Sequence, residues 1–188
     1  MISNVRVYGL EQSVKASKYP MAIDPNECTE DITDRVMALA RSEKGSGHDQ
    51  FLTGIIVQFD LKLSLKAWAE AQRYHFLDFV SSQSTMHRIT KFDINRQCNE
   101  YVEMEAIELL ERLVKEHNAK PSDENFLRVI YNIPTGFELT ARMTTNYRQL
   151  KTIYSQRRAH RLPEWREFCR WIEKLPSAEL ITSARDGF

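Results

Sequence analysis

The stretch Phe137–Trp171, FELTARMTTNYRQLKTIYSQRRAHRLPEWREFCRW, decides how this chain is read. It opens by alternating. Phe137, Leu139, Ala141 and Met143 are apolar, with Glu138, Thr140, Arg142 and Thr144 between them. A period of two predicts a half-buried strand. The period then changes. Asn146 is a good helix cap, and Leu150, Ile153 and Tyr154 follow at helical spacing. Arg157 continues that apolar stripe one helical repeat beyond Leu150. A charge in such a register is costly to bury without compensation, so an anionic partner is expected for it.

From Arg142 to Arg161 the cations are Arg142, Arg148, Lys151, Arg157, Arg158 and Arg161, with His160 beside them, and the next acid is Glu164. The whole chain is balanced, with 26 basic and 26 acidic residues, so the cluster is a local feature. Two readings stand side by side. Positive charge on a strand and its following helix suits a phosphate or another anion. Equally, it is a solvated basic face whose acids come from another segment.

Length and composition narrow the classes. At 188 residues, 42% hydrophobic and 28% charged, the chain reads as one soluble domain spanning 1–188. No apolar run approaches membrane-spanning length, and the N-terminus lacks a signal-peptide layout. Cys28, Cys98 and Cys169 are odd in number and far apart. They form no metal-ligand spacing and no disulfide framework, which points to a reducing cytoplasm. Zero net charge argues against broad nucleic-acid binding. No Gly-x-Gly-x-x-Gly, His-Glu-x-x-His or Gly-x-Ser-x-Gly occurs, so Rossmann, zinc-peptidase and serine-hydrolase readings lack support.

The remaining elements follow from pattern. Asn4–Tyr8 reads as a strand closed by Gly9, and Leu10–Lys18 as a helix stopped before Pro20. Thr29 is a candidate cap for a helix to about Ser42. Gly45-Ser46-Gly47-His48 is a turn. Phe51–Leu63 is the best strand, with Ile55, Val57, Phe59, Leu61 and Leu63 on one face. Ser64 opens a helix with Leu65, Trp68, Ala69 and Gln72 on one side. Phe76–Ser84 reads as irregular, and Met86–Ile89 as extended or loop. Asn99–His117 is a long amphipathic helix with i,i+4 pairs Glu108–Arg112 and Glu111–Lys115. A helix that Pro121 with Ser122 starts ends before Pro134, and a last one runs from Pro163 or Glu164 to about Leu175. The tail after Pro176 reads as loose. The class is α+β: a small, mostly antiparallel sheet with several amphipathic helices.

The Phe137–Trp171 stretch resembles the C-terminal half of the flavin-dependent thymidylate synthases. The matching residues are the threonine-bearing strand, Asn146-Tyr147-Arg148-Gln149-Leu150, Arg157, His160, and Glu164 or Glu167. The family's signature is an Arg-His-Arg, then a serine, an asparagine, a second serine and an arginine, all after a strand and a helix. Here the corresponding place holds Arg73-Tyr74-His75, with Asp78 and Val80 at the first serine and the asparagine positions. A second serine and arginine are found with a shift, as Ser84 and Arg88. A Gly-x-His context before the strand is similar to Gly47-His48. The signature is therefore remodelled, within a framework that keeps the family's order.

The resemblance implies FAD as cofactor, dUMP as substrate, and methylenetetrahydrofolate and NADPH as co-substrates. It implies a homotetramer with active sites at subunit junctions. By the same resemblance Arg157 is the catalytic and dUMP-binding arginine, and Ser84, Arg88 and Arg148 complete the nucleotide pocket. His48, Arg73, His75, Asn146 and His160 fall on the flavin side. No metal is implied. Without the resemblance, Arg73 and His75 are cations at a helix C-terminus, and Ser81–Ser84 is a polar loop. An alternative keeps the fold without the catalysis: a nucleotide-binding relative, or one with an altered reaction at C5 of the base. A small nucleic-acid-binding protein using the basic cluster is a third reading, disfavoured by zero net charge.

Overall fold

A computed structural model describes residues 1–43 and 45–183. In chain order it contains β1 (Ile2–Tyr8), α1 (Leu10–Ala16), α2 (Asp34–Ala40), β2 (Ile56–Ser64), α3 (Leu65–Ala71), β3 (Asp78–Ser82), α4 (Thr85–Arg88), α5 (Ile94–Gln97), α6 (Met104–Ala119), α7 (Asp123–Tyr131), β4 (Glu138–Asn146), α8 (Tyr147–Arg157), α9 (Pro163–Ile172) and α10 (Glu179–Thr182). The strands follow the order β1-β2-β4-β3 in one antiparallel sheet. The expected α+β class is what forms.

Contacts divide the chain into two compact units. The first holds Met1, 61–73 and 79–142; the second holds 2–60, 74–78 and the chain from 143 onward. β2 and β4 run through both.

In the first unit α6 and α7 pack beside Phe137. Ile89, Ile94, Ile107, Leu110, Leu113 and Val129 are buried there. Phe92 meets Phe137 edge-on at 5.7 Å, a favoured geometry for two aromatic quadrupoles. The turn of α3 is tied to β4 by the Trp68 indole N–H, which donates to the Leu139 carbonyl at 3.1 Å. On the outer surface Arg112 pairs forward with Glu116 rather than with Glu108, and Glu116 also meets Arg128 of α7 at 3.0 Å.

The second unit buries the rest of the strand pattern. Ile55, Val57 and Phe59 are fully buried, as are Leu150 and Ile153 of α8 and Trp165, Phe168 and Ile172 of α9. Phe59 packs against Phe168 and Trp171, with centroids at 5.8 and 4.6 Å. Gly9, at φ +71°, lies against the Gly54 backbone, where a Cβ would meet the carbonyl oxygen at 2.6 Å. Glycine is required at that close approach.

Several sequence expectations are corrected. Gln50–Gly54 is a 3₁₀ turn, so the strand begins at Ile56 and not at Phe51. The α2 cap is Thr33, whose hydroxyl accepts from the Val36 N–H, rather than Thr29. The buried side of α3 is Ala67, Trp68 and Ala71, while Ala69 is exposed. Phe76–Ser84 contains an edge strand, β3, exposed at all five residues. With all five residues exposed, Asp78-Phe79-Val80-Ser81-Ser82 carries none of the alternation that marks a half-buried strand. Met86 and His87 lie in the short helix α4. α6 begins at Met104, five residues after the expected start at Asn99. After Pro176, α10 buries Leu180 and Ile181, so that part of the tail is not loose; residues 184–188 lie outside the described residues.

A buried ionic knot secures the second unit. Asp49, 3% exposed, lies 3.0 Å from Arg148 Nε and 2.9 Å from Lys151 Nζ. The Arg148 contact is an ion pair off the line of a hydrogen bond. Lys151 also donates to the Ala40 and Ser42 carbonyls at 2.6 and 3.2 Å. The ammonium thus holds the end of α2, the 49–50 turn and α8 together. Removing one partner of a buried ion set leaves the others uncompensated. Asp49→Asn should therefore cost about 3 kcal/mol of unfolding free energy, measured by urea denaturation. A loss below about 0.5 kcal/mol, typical of a surface change, would show the knot to be incidental.

Candidate functional site

The site is built where α8 ends. Asn146 caps that helix, its side-chain oxygen accepting from the Gln149 N–H at 2.9 Å. The cap sets the rotational start of α8, and eleven residues later the same helix delivers Arg157 inward. Arg157 is 2% exposed, so the inward register read from the stripe is present in the structure.

The guanidinium is held by groups from three places in the second unit. Nε donates to the Tyr74 hydroxyl at 2.7 Å. Nη1 lies 2.6 Å from His160 Nε2. The indole of Trp165 covers the guanidinium with its centroid 4.8 Å from Cζ, and the Tyr74 ring lies at 5.6 Å. Desolvated cation–π contacts of this kind are worth on the order of 2 kcal/mol. Tyr74 and Trp165 meet edge-on at 5.9 Å, so the two rings form one corner. Besides accepting from Arg157, the Tyr74 hydroxyl donates to Gln156 Oε1 at 3.1 Å.

Both ring nitrogens of His160 face N–H groups: Nε2 faces Arg157 Nη1, and Nδ1 accepts from the Leu162 backbone N–H at 3.2 Å. The turn carrying His160 is pinned by Arg166, whose Nη1 donates to the His160 and Arg161 carbonyls at 2.6 and 2.7 Å.

The basic cluster separates into two parts. Arg148 and Lys151 share the single carboxylate of Asp49, and Arg148 Nη1 donates to Gln50 Oε1 at 2.8 Å. For these two cations the acid does come from another segment. Arg158 and Arg161 are exposed, and Arg157 alone of the six is buried. The other expected site residues are placed as follows. His48 is exposed after the Gly45–Gly47 turn, and Arg73 and His75 are exposed beyond α3. Ser84 begins α4 without a side-chain cap bond, and Arg88 closes that helix on the surface. Within the second unit, then, Arg157 and His160 are brought into contact.

Tyr74, Trp165, Gln156 and Asp49 were not among the expected site residues. Tyr74 carried one signal, its place at the centre of the altered signature. Its pairing with Arg157 spans 83 residues, which no local pattern reveals. Thr145, 4% exposed at the end of β4, has a hydroxyl with no hydrogen-bond partner among the described residues. Below α8, Cys169 is 2% exposed, and burial pushes its thiol up to about 12.

No protein-family model matches this chain. No curated protein does either. Solved structures do. The flavin-dependent thymidylate synthase ThyX from Helicobacter pylori, complexed with FAD and dUMP, aligns over 96% of both chains at TM-score 0.72 and 17% identity. A second structure of that enzyme with FAD and dUMP covers 95% of this chain and 96% of its own, at TM-score 0.72 and 18% identity. The UMP/dUMP methylase PolB from Streptomyces cacaoi, bound with 5-Br dUMP, covers 97% of this chain and 96% of its own, at TM-score 0.65 and 18% identity. The chain therefore has the fold of the flavin-dependent thymidylate synthases, the class that the Phe137–Trp171 stretch resembles. At these identities the likeness is one of fold.

A thiol held above the ordinary range stays protonated at pH 8 and reacts slowly. Native protein treated with iodoacetamide at that pH should alkylate Cys28 well before Cys169, read by peptide mass spectrometry. Equal rates would mean that α9 opens readily.

Proposed function

We propose that this chain is a flavin-dependent thymidylate synthase-like enzyme that binds dUMP and methylates C5 of its base to give dTMP. The observation that carries the proposal is the fold correspondence over 96% of both chains with a synthase solved in complex with FAD and dUMP. Fold alone does not specify function. The buried, pre-oriented Arg157 supports the reading from the site itself.

In this proposal Arg157 binds the phosphate or the base of dUMP. A guanidinium fixed by Tyr74, His160 and Trp165 offers a rigid fork to an anion or a carbonyl, which suits charge stabilisation better than a mobile lysine would. Ser84 and Arg88 supply a hydroxyl and a cation to the nucleotide. With its Nε and Nη1 engaged by Asp49 and Gln50, Arg148 serves the pocket chiefly by holding α8 in place. Asn146 acts likewise through the cap.

FAD fits the remaining donors by their chemistry. Arg73, His75 and His48 are exposed and suited to a pyrophosphate or a flavin ring edge. When bound, FAD would supply the hydride that reduces the one-carbon unit taken from methylenetetrahydrofolate, with NADPH as the source of electrons. His160 would stand on the flavin side with its Nε2 against Arg157. A homotetramer belongs to the same proposal.

The visible spectrum of the purified protein tests the reading. On adding FAD, then dUMP, a bound-flavin spectrum that shifts with dUMP is expected. Retained dUMP affinity without flavin would instead support the second reading, a nucleotide-binding relative without the redox step. That reading is favoured by one observation, the replacement of Arg-His-Arg by Arg73-Tyr74-His75. If neither ligand binds, both readings fall. Light scattering should show four chains per particle; a monomer at micromolar concentration would remove the tetramer from the proposal.

A further inference from the structure

We infer that Tyr74 is a positioning residue that orients Arg157 for the nucleotide, so that the altered signature acts on the substrate side of the site. The inference rests on the reading above, in which Arg157 binds dUMP.

The proton inventory sets the direction of the network. A phenol has one proton to give and can accept as well, while a guanidinium only gives. Arg157 Nε lies 2.7 Å from the Tyr74 oxygen, so Nε donates and the oxygen accepts. The phenolic proton then goes to Gln156 Oε1 at 3.1 Å. A second edge of the guanidinium is held at His160 Nε2, 2.6 Å from Nη1. With two edges fixed and the indole of Trp165 over its face at 4.8 Å, the guanidinium is confined to one orientation. A free arginine would lose that freedom on binding a ligand; here it is lost on folding, which strengthens binding.

Tyr74 is suited to this by reach as well as chemistry. It is 6% exposed, and its ring meets Trp165 edge-on at 5.9 Å while its hydroxyl extends beyond the ring to Nε. The histidine that the signature would have at this position is shorter and carries no oxygen. The change at 74 is therefore a substitution with a role of its own, tied through 83 residues of sequence to Arg157.

A double-mutant cycle tests this, with dUMP affinity measured by calorimetry on the full chain. Tyr74→Phe keeps the ring contact with Trp165 and removes only the hydroxyl. It should weaken dUMP binding about tenfold, the scale of one hydrogen bond to a charged group, with near-ultraviolet dichroism kept and the melting temperature lowered by only a few degrees for the lost acceptor. Tyr74→His should not restore the affinity. In an Arg157→Gln background Tyr74→Phe should have no further effect on dUMP binding, because it acts through Arg157. An equal loss in both backgrounds would overturn the inference in favour of a purely structural role. If Arg157→Gln weakens binding and Tyr74→Phe does not, the positioning role falls while the nucleotide reading stands. If Arg157→Gln leaves dUMP affinity unchanged, the nucleotide reading itself falls, and the positioning role with it. Arg157→Lys, which keeps the charge and loses the fork, serves in place of Arg157→Gln where the latter does not fold.

Discussion

A cation held away from water is the constraint that orders the second unit. Placing Arg157 at 2% exposure incurs a desolvation cost of several kcal/mol. That cost must be met by groups brought from elsewhere in the chain. Tyr74 comes from beyond α3, His160 from the turn after α8, and Trp165 from α9. Each lies where it does through other contacts: Arg166 pins the His160 turn, and Phe168 packs on Trp165 at 5.9 Å. The aromatic layer thus supports a polar centre, and that centre joins α8 to the turn after it and to α9.

The Asp49 knot shows the same logic with the opposite charge. One carboxylate, 3% exposed, is shared by two cations of α8. Six cations between Arg142 and Arg161 look like a single surface in sequence. In three dimensions they have different neighbours and therefore different capacities. Two are committed to holding the helix against the 49–50 turn, and one is buried among aromatic rings. Helical phase separates them: Arg148 and Lys151 point toward the turn before β2, and Arg157 toward the corner made by Tyr74 and Trp165.

Much of this was legible from sequence for a simple reason. β2 buries one face completely, so Val57, Phe59, Leu61 and Leu63 record the strand directly, and β4 buries Ala141 and Met143 in the same way. The stripe through Leu150 and Ile153 likewise carried Arg157 inward. What escaped was set by surroundings and not by pattern. β3 is exposed at every residue and so has no alternation to read. The turn at Gln50–Gly54 carries apolar residues that continue the look of a strand. Asp49 and Tyr74 reach their partners across about a hundred and 83 residues, distances over which a single sequence is silent. The family resemblance supplied the correct fold; the departures at Tyr74 and His75 marked where the local chemistry would differ.

The long reach of these contacts bears on how the chain is made. Lys151 closes on Ala40 over 111 residues, and Arg157 on Tyr74 over 83. Loop closure of that size must precede any reward from the contacts it brings together. On the ribosome the stretch holding Asp49, Phe59 and Tyr74 emerges long before α8 and α9. Until those helices arrive, Phe59 lacks Phe168 and Trp171, and Asp49 lacks its cations. The first half of the second unit is thus born as an apolar strand in want of a cover, and the nascent chain depends on its own last third to become a stable protein.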